Sequence, residues 1–435
     1  MTFQLTSRPA QRRRNADRNK LAPEDRPVHD WYRFVLSFPP HLVRHYVDQF
    51  RLTPEHRVLD PFCGTGTTLV ECKKLGIPSV GVEAHPMASF ASRVKTEWEV
   101  DPDGLLRHAE SVADATRARL RRLGERPQAG NGMRVLPVEA ARLLLKDSIS
   151  PVPLHKSLVL LDQLGELADE EFRAHELLAL ATSLVTDIGN LHFGPEVGVR
   201  GAKDDAPVIN CWMKRVRGIA EDLRSLRPTH GTPVAVYQDD SRDLPRGLER
   251  ESVDAVITSP PYPNEKDYTR TTRLESVILG FVRDREELRN LKQGLLRSNT
   301  RNVYKADEDD QWAEEFDEVQ RVASEIERRR VELGKTSGFE RLYHRVTKLY
   351  FGGMARHLEE LKAVLRPGAR LAYVVGDQAS YLRVMIRTGR ILADIAQSLG
   401  YEVLGVDLFR TRLATATRQQ LREEVVLLRW PGGSA

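Results

Sequence analysis

Cysteine is scarce here: three in 435 residues, at Cys63, Cys72 and Cys211. None forms a CxxC pair and none has a histidine at ligand spacing. That pattern argues against a disulfide framework and a zinc site, so no metal is expected and a reducing cytoplasm is the expected compartment. Long apolar runs are missing as well. No stretch approaches the roughly 20 residues of a membrane span. The first residues are Arg-rich and polar where a secretory leader would carry an apolar segment. Charge is nearly balanced, 66 Lys and Arg against 62 Asp and Glu, leaving +4. Such a balance permits a nucleic-acid partner without requiring one, because the distribution of charge decides. What is present is 40% hydrophobic and 29% charged. This suits a globular chain with a large core, long enough for two or three domains.

The most constrained stretch is Thr258-Ser259-Pro260-Pro261-Tyr262. It follows the apolar run Val253 to Ile257, which predicts a buried strand. Two prolines can neither continue a central strand nor enter a helix interior, so the backbone leaves the sheet extended and stiff. The loop then offers the Ser259 hydroxyl, the Pro260 carbonyl and the Tyr262 ring. Together they can accept hydrogen bonds from an amino group while stacking on the ring that carries it.

A second constrained stretch lies upstream: Arg57-Val58-Leu59-Asp60-Pro61-Phe62-Cys63-Gly64-Thr65-Gly66-Thr67-Thr68. A short strand enters a glycine loop and then a helix, Leu69 to Leu75. Glycines let the backbone approach a ligand at a helix N-terminus. No lysine follows the second glycine, which excludes a phosphate-binding P-loop. Asp60 would repel a pyrophosphate and suits a cationic ligand. The next strand, Ser79 to Val82, ends in Glu83, at the spacing where an acid receives ribose hydroxyls. A third strand, Pro233 to Tyr237, runs into Asp239-Asp240-Ser241, which could accept an adenine amino group or be a polar turn.

The remainder predicts a framework and two interruptions. Residues 1–27 read as a mobile basic arm, either a solvated tail or a phosphate tracker. Pro39-Pro40 opens a helix with an apolar face at Leu42, Val43, Tyr46, Val47 and Phe50. The aromatics before it, Trp31, Tyr32, Phe34 and Phe38, could staple the core or wall a pocket. Residues 100–232 are largely helical, ending in a helix with an apolar face at Ile209, Trp212, Val216, Ile219 and Leu223. Within them Asn190 to Lys203 reads as an irregular loop carrying His192, Arg200 and Lys203. Residues 263–344 interrupt again, with Lys266, Arg270 and Arg273 just past the proline motif and a charged helix over Trp312 to Leu333. Arg366-Pro367-Gly368 reads as a turn before a strand, Arg370 to Val375. After a helix ending at Gly400, strands Glu402 to Phe409 and Glu424 to Leu428 read as an antiparallel pair. Strand–helix alternation with such an ending predicts a doubly wound seven-stranded α/β sheet, its ligands over the strands' carboxyl ends.

The order of DPFCGTGTT, an acid after strand two, an acid after strand three and then SPPY resembles the S-adenosylmethionine-dependent amino-methyltransferases of DNA. The Ser-led motif resembles the cytosine-N4 members, whereas adenine-N6 members more often carry Asp in place of Ser259. The cytosine-N4 enzymes often place SPPY ahead of the glycine loop; here the glycine loop comes first. The resemblance implies a Rossmann-like methyltransferase sheet with two helical inserts and a C-terminal antiparallel hairpin. It falls on the catalytic parts at 28–99, 233–262 and 345–435 and leaves an arm (1–27) and two inserts outside it; of these, 100–232 is the candidate target-recognition region and 263–344 a second insert with possible DNA contacts. It implies that Phe38, Asp60, Pro61, Phe62, Cys63, Gly64, Thr65, Gly66, Thr67, Glu83, Asp240 and Ser241 hold S-adenosylmethionine. Ser259, Pro260, Pro261 and Tyr262 would hold a base flipped out of double-stranded DNA. His192, Arg200, Lys203, Lys266, Arg270 and Arg273 are the candidate DNA contacts. A homodimer and a cognate restriction endonuclease on another chain are compatible partners. The rival readings are adenine-N6 methylation, an RNA amino-methyltransferase, and a nucleic-acid-binding module without catalysis.

Overall fold

The computed structural model describes residues 21–34, 37–123, 132–194, 196–226, 231–413 and 419–433. Nine strands occur among them: β1 (Val58–Asp60), β2 (Ser79–Val82), β3 (Leu191–Phe193), β4 (Val197–Val199), β5 (Val234–Tyr237), β6 (Val253–Thr258), β7 (Leu365–Gly376), β8 (Glu402–Leu413) and β9 (Gln420–Arg429). Seven of them form one sheet in the order β5-β2-β1-β6-β7-β9-β8. Its strands pair in parallel from β5 to β7, and β9 runs against both β7 and β8. This is the α/β sheet with a terminal antiparallel pair that the alternation predicts. No helix among the described residues is long and apolar enough to cross a membrane.

The inner strands are apolar on both faces because both faces are covered. On one face Ala255, Ile257, Ala372, Val374, Val425 and Leu427 meet Leu42, Val43, Tyr46 and Val47 of the helix Pro40–Phe50. On the other, Val256, Leu371, Tyr373, Val375, Val426 and Leu428 share a core with the helices Tyr343–Leu361 and Thr388–Ser398. Each fully buried aliphatic side chain contributes roughly 1.5–3 kcal/mol relative to exposure. The sheet order reverses between β1 and β6, since β1 leads outward to β2 and β6 to β7. Loops leaving the two strands therefore diverge and open a crevice between them. The glycine loop follows β1 and the proline motif follows β6, so topology alone brings both to one crevice.

Several expectations are corrected. Residues 1–20 of the predicted arm lie outside the described residues, but 21–27 are docked: Ala22 and Asp25 are buried, and Asp25 pairs with Arg44 at 2.8 Å. The stretch Asn190 to Lys203 is not irregular throughout. It contains the β3–β4 hairpin, with Leu191 opposite Val199 and Phe193 opposite Val197, strands too short for alternation to register. Arg366-Pro367-Gly368 forms a bulge inside β7, where pairing jumps from Val253–Leu365 to Ala255–Arg370. The charged helix begins later, at Asp317, after a 3-10 turn at Asp309–Ala313.

The first insert packs its helices Pro102–Leu123, Pro151–Glu166, Arg173–Ser183 and Val208–Leu226 into one core with Val28, Trp31, Met87, Val94 and Trp98 of the preceding catalytic part, and Trp212 is fully buried there. The second is not one body. Leu274, Val277, Ile278 and Val282 enter that same core, whereas Leu296, Ala313, Val319, Val322 and Ile326 join the sheet's core. Hydrophobic spacing reveals an apolar stripe but not the partner that covers it, so the boundary at 263–344 divides the chain differently from the packing.

Candidate active site

The loop after β1 turns sharply at Gly64 and Gly66, at φ +51° and +81°. Gly66 could not be replaced freely, because a Cβ there would sit 2.9 Å from Ser92 Oγ and 3.2 Å from its Cα. The loop is fixed from behind. Ser92 Oγ donates to the Gly64 carbonyl at 2.8 Å, and the buried Lys95 ammonium donates to the Thr65 carbonyl at 2.7 Å. Burial pulls the Lys95 pKa down to about 7. The helix Thr67–Lys74 then begins.

Two acids mark this end. Glu83 accepts from the amides of Gly64 at 2.8 Å and His85 at 2.7 Å. Burial lifts its pKa to about 7, opposed by those amides and reinforced by Asp60. Asp60 is enclosed beneath the loop, with Oδ1 accepting from Thr258 Oγ1 at 2.6 Å and the Phe62 amide at 3.1 Å. Its Oδ2 is buried without a partner, and burial lifts its pKa to about 6. Neither carboxylate makes an ion pair among the described residues.

The proline motif faces the same space. Ser259 Oγ donates to the Val374 carbonyl at 3.2 Å, so towards a ligand it presents lone pairs. Burial pushes the Tyr262 phenol well above its usual range, with Glu423 adding to the shift. One cavity of about 520 Å³ collects Ser259, Pro260, Pro261 and Tyr262 with the loop residues Pro61, Phe62, Cys63, Gly64, Thr65 and Thr67. Phe38, Glu83, Asp240 and Ser241 line it as well. Asp60 and Gly66 are not among its walls. They act on the loop from beneath, Asp60 by tying the end of β1 to the end of β6. Cys63 is buried, and burial pushes its thiol well above the usual range, so it carries no thiolate.

A family model described as DNA methylase matches residues 7–89. Over 94% of this chain the sequence is 24% identical to the type II methyltransferase M.BsoBI of Geobacillus stearothermophilus, covering 85% of that protein. It is 25% identical to the type II methyltransferase M.AvaI of Nostoc sp., covering 94% of this chain and 88% of that one. The chain is similar to DNA amino-methyltransferases of the SPPY type. A solved structure, TrmN from Thermus thermophilus, aligns with 93% of this chain and 52% of its own at 11% identity and a TM-score of 0.32, too distant to carry an argument.

Seen against that family, some expected contacts fall elsewhere. Arg242 holds the Asp240 carboxylate through Nη2 at 2.5 Å and Nε at 3.0 Å, and reaches Asp309 with Nη1. Little acceptor capacity is left on Asp240 for an adenine amino group. Lys203 Nζ donates to the carbonyls of Asp187 and Gly189, both at 2.8 Å. Arg273 donates to Thr269 and to the Leu143 carbonyl. Those two side chains are tied up inside the fold. His192 and Arg200 are exposed on the hairpin segment, Arg270 is half-buried outside the cavity, and Lys266 lines it.

Other residues complete the walls, among them Phe34, one of the aromatics expected to staple the core or wall a pocket. Phe34 stacks on Tyr268 at 5.5 Å, and both line the cavity. Phe409, Arg410, Arg412 and Glu423 reach it from the β8–β9 pair, with Arg410 holding Glu423 through Nε at 2.5 Å and Nη2 at 2.9 Å. The Thr/Arg-rich spacing between the last two strands was the available signal.

Proposed function

We propose that this chain is a site-specific DNA methyltransferase acting on the exocyclic N4 amine of cytosine, with the base flipped out of double-stranded DNA. The methyl donor is S-adenosylmethionine. The observation that carries the reading is the sharing of one cavity by the proline motif and the glycine loop beside two acids that make no ion pair among the described residues, Glu83 in the wall and Asp60 buried beneath the loop. DNA amino-methylation is the coarser statement, supported by the methyltransferase relatives along 94% of the chain. The cytosine target is supported by Ser259 at the head of the motif.

The residues present fit a cationic cofactor carrying a ribose. The orphaned Asp60 Oδ2 and the unneutralised Glu83 favour positive charge near the loop, and Glu83 has lone pairs left for ribose hydroxyls. Pro61 to Thr65, Phe38 and Ser241 would enclose the rest. Bound there, S-adenosylmethionine supplies an electrophilic methyl group on a sulfonium.

The protein's own contribution is placement and electrostatics. A flipped base costs a few kcal/mol of lost stacking and pairing, which Tyr262 offsets by stacking. Ser259 Oγ and the Pro260 carbonyl accept the two amine N–H bonds. An exocyclic amine is a weak nucleophile because its lone pair is delocalised into the ring. Acceptors in the right place favour a pyramidal nitrogen and stabilise the positive charge that develops there. Holding the amine in line with the methyl supplies the remaining advantage.

Digestion of DNA treated with the enzyme is expected to release N4-methylcytosine. N6-methyladenine instead would overturn the choice of base while leaving amino-methylation intact, and no modified base at all would overturn the whole reading.

A pH dependence follows from Glu83. Its raised pKa leaves it partly protonated near neutrality, whereas hydroxyl donors prefer the carboxylate. Cofactor binding should therefore pull the pKa down and release a proton, with affinity rising as pH increases from 6 to 8. Calorimetry at pH 6.5 in two buffers of different ionisation enthalpy measures the proton count. Affinity that stays flat over that range would remove Glu83 from the ribose site.

A further inference from the structure

We infer that the second insert grips the phosphates of the duplex next to the flipped nucleotide, through Arg289 of the helix Arg285–Gln293 and Arg301 of the loop that follows it. The inference rests on the DNA reading above and names the surface on this chain that meets the DNA backbone.

Two observations carry it. The first is how the guanidinium groups are held. Arg289 lies over the Tyr304 ring at 5.5 Å and Arg301 over the Phe339 ring at 5.8 Å. Neither makes an ion pair among the described residues. An aromatic face orients a guanidinium without neutralising it, so the charge stays available to an anion. Three arginines of the nearby helix Asp317–Glu332 behave differently. Arg321, Arg328 and Arg330 each pair with a glutamate three or four residues away. Tyr304 also faces Arg297, but Asp307 neutralises that group at 2.7 Å. Phe339 is 52% exposed, an arrangement that burial does not explain.

The second is where this surface is attached. The loop carrying Arg301 is stitched to the segment that follows the proline motif. Glu265 accepts from Thr300 Oγ1 at 2.7 Å and its amide at 3.3 Å, and Asn299 Nδ2 donates to the Lys266 carbonyl at 3.2 Å. Ser298 and Asn302 line the cavity itself. A duplex presenting a base to Tyr262 therefore lays its backbone along this rim. Lys266 sits at the junction, half-buried, its ammonium without a hydrogen-bond or ion-pair partner among the described residues. Burial first and Arg412 second pull its pKa down, against Glu196 and Glu423, which raise it; a phosphate at this rim would give the ammonium a partner.

The test is the salt dependence of binding to a double-stranded oligonucleotide, read by fluorescence anisotropy with the full chain. Each phosphate contact contributes about −0.9 to the slope of log affinity against log salt. The double variant Arg289→Gln, Arg301→Gln is expected to flatten that slope by about two and to weaken binding roughly ten- to a hundredfold near 0.1 M salt. Calorimetric S-adenosylmethionine affinity should be unchanged, which certifies the fold. The lysine double variant should recover most of the slope, and Arg321→Gln, whose charge is already paired, should keep the native slope. A native slope in the glutamine variant would overturn the inference alone. A native protein that shows no salt-dependent duplex binding would overturn the DNA reading and the inference together.

Discussion

Tyr262→Ala is expected to lower methylation of duplex DNA by at least about 10³-fold with cofactor affinity unchanged. Base stacking on an aromatic ring is worth roughly 1–3 kcal/mol, and a base left loose by about an ångström costs on the order of a further 10²-fold. Ser259→Ala should cost about 10²–10³-fold, the range for removing one group that stabilises transition-state charge. The two variants separate the roles, because the alanine at 262 also weakens capture of the flipped base, whereas the alanine at 259 acts on turnover. Tyr262→Phe should stay within about tenfold of native. Burial keeps that phenol protonated, so the ring and not the hydroxyl does the holding. Transfer of labelled methyl groups to plasmid DNA at saturating cofactor measures all three. Turnover within tenfold of native in both alanine variants would remove the proline motif from the chemistry.

Much of the site was legible because its signals are local. The Pro-Pro step that stops β6 and the glycines that turn the chain after β1 each force a loop at a strand end. Strand order then brings the two loops together. Phe38, Glu83, Ser241 and Tyr262 all line one cavity. What could not be read depends on distant partners. The bond from Asp60 to Thr258 spans 198 positions, and nothing near Asp60 announces that its carboxylate serves the loop from below. Asp240 is occupied by Arg242 only two residues on, and what the sequence hides is the distant Asp309 that fixes Arg242 in place. The inserts failed for the same reason. Leu274, Val277 and Ile278 show an apolar stripe whose cover is the other insert, and Lys203 is basic and loop-borne yet spends its ammonium on two carbonyls.

The link from Asp240 to the second insert carries the other large effect, expected from Gly352→Ala. Gly352 lies inside the helix Tyr343–Leu361, where alanine would ordinarily stabilise by roughly 1 kcal/mol. Here a Cβ would sit 1.7 Å from the Asp309 carbonyl oxygen. The obstructing atom is backbone, so no rotamer change relieves the clash and the segment 309–313 must move off the helix. Overpacking of this kind costs about 1–3 kcal/mol and sometimes more, which reverses the sign of the propensity gain. The damage should not stay local. Asp309 holds Arg242 and Arg242 holds Asp240, so the loop that sets Ser241 in the cavity wall should loosen. Thermal unfolding should shift down by several degrees, and S-adenosylmethionine affinity should fall with it. Gly218, in the helix Val208–Leu226, has nothing within 4 Å of where its Cβ would be. Gly218→Ala should therefore raise the melting temperature and leave cofactor binding alone. Two glycine-to-alanine changes in helix interiors are thus expected to act with opposite signs. A Gly352→Ala protein that melts like the native one would show that the insert is not pressed against that helix, and that Arg242 positions Asp240 without help from it.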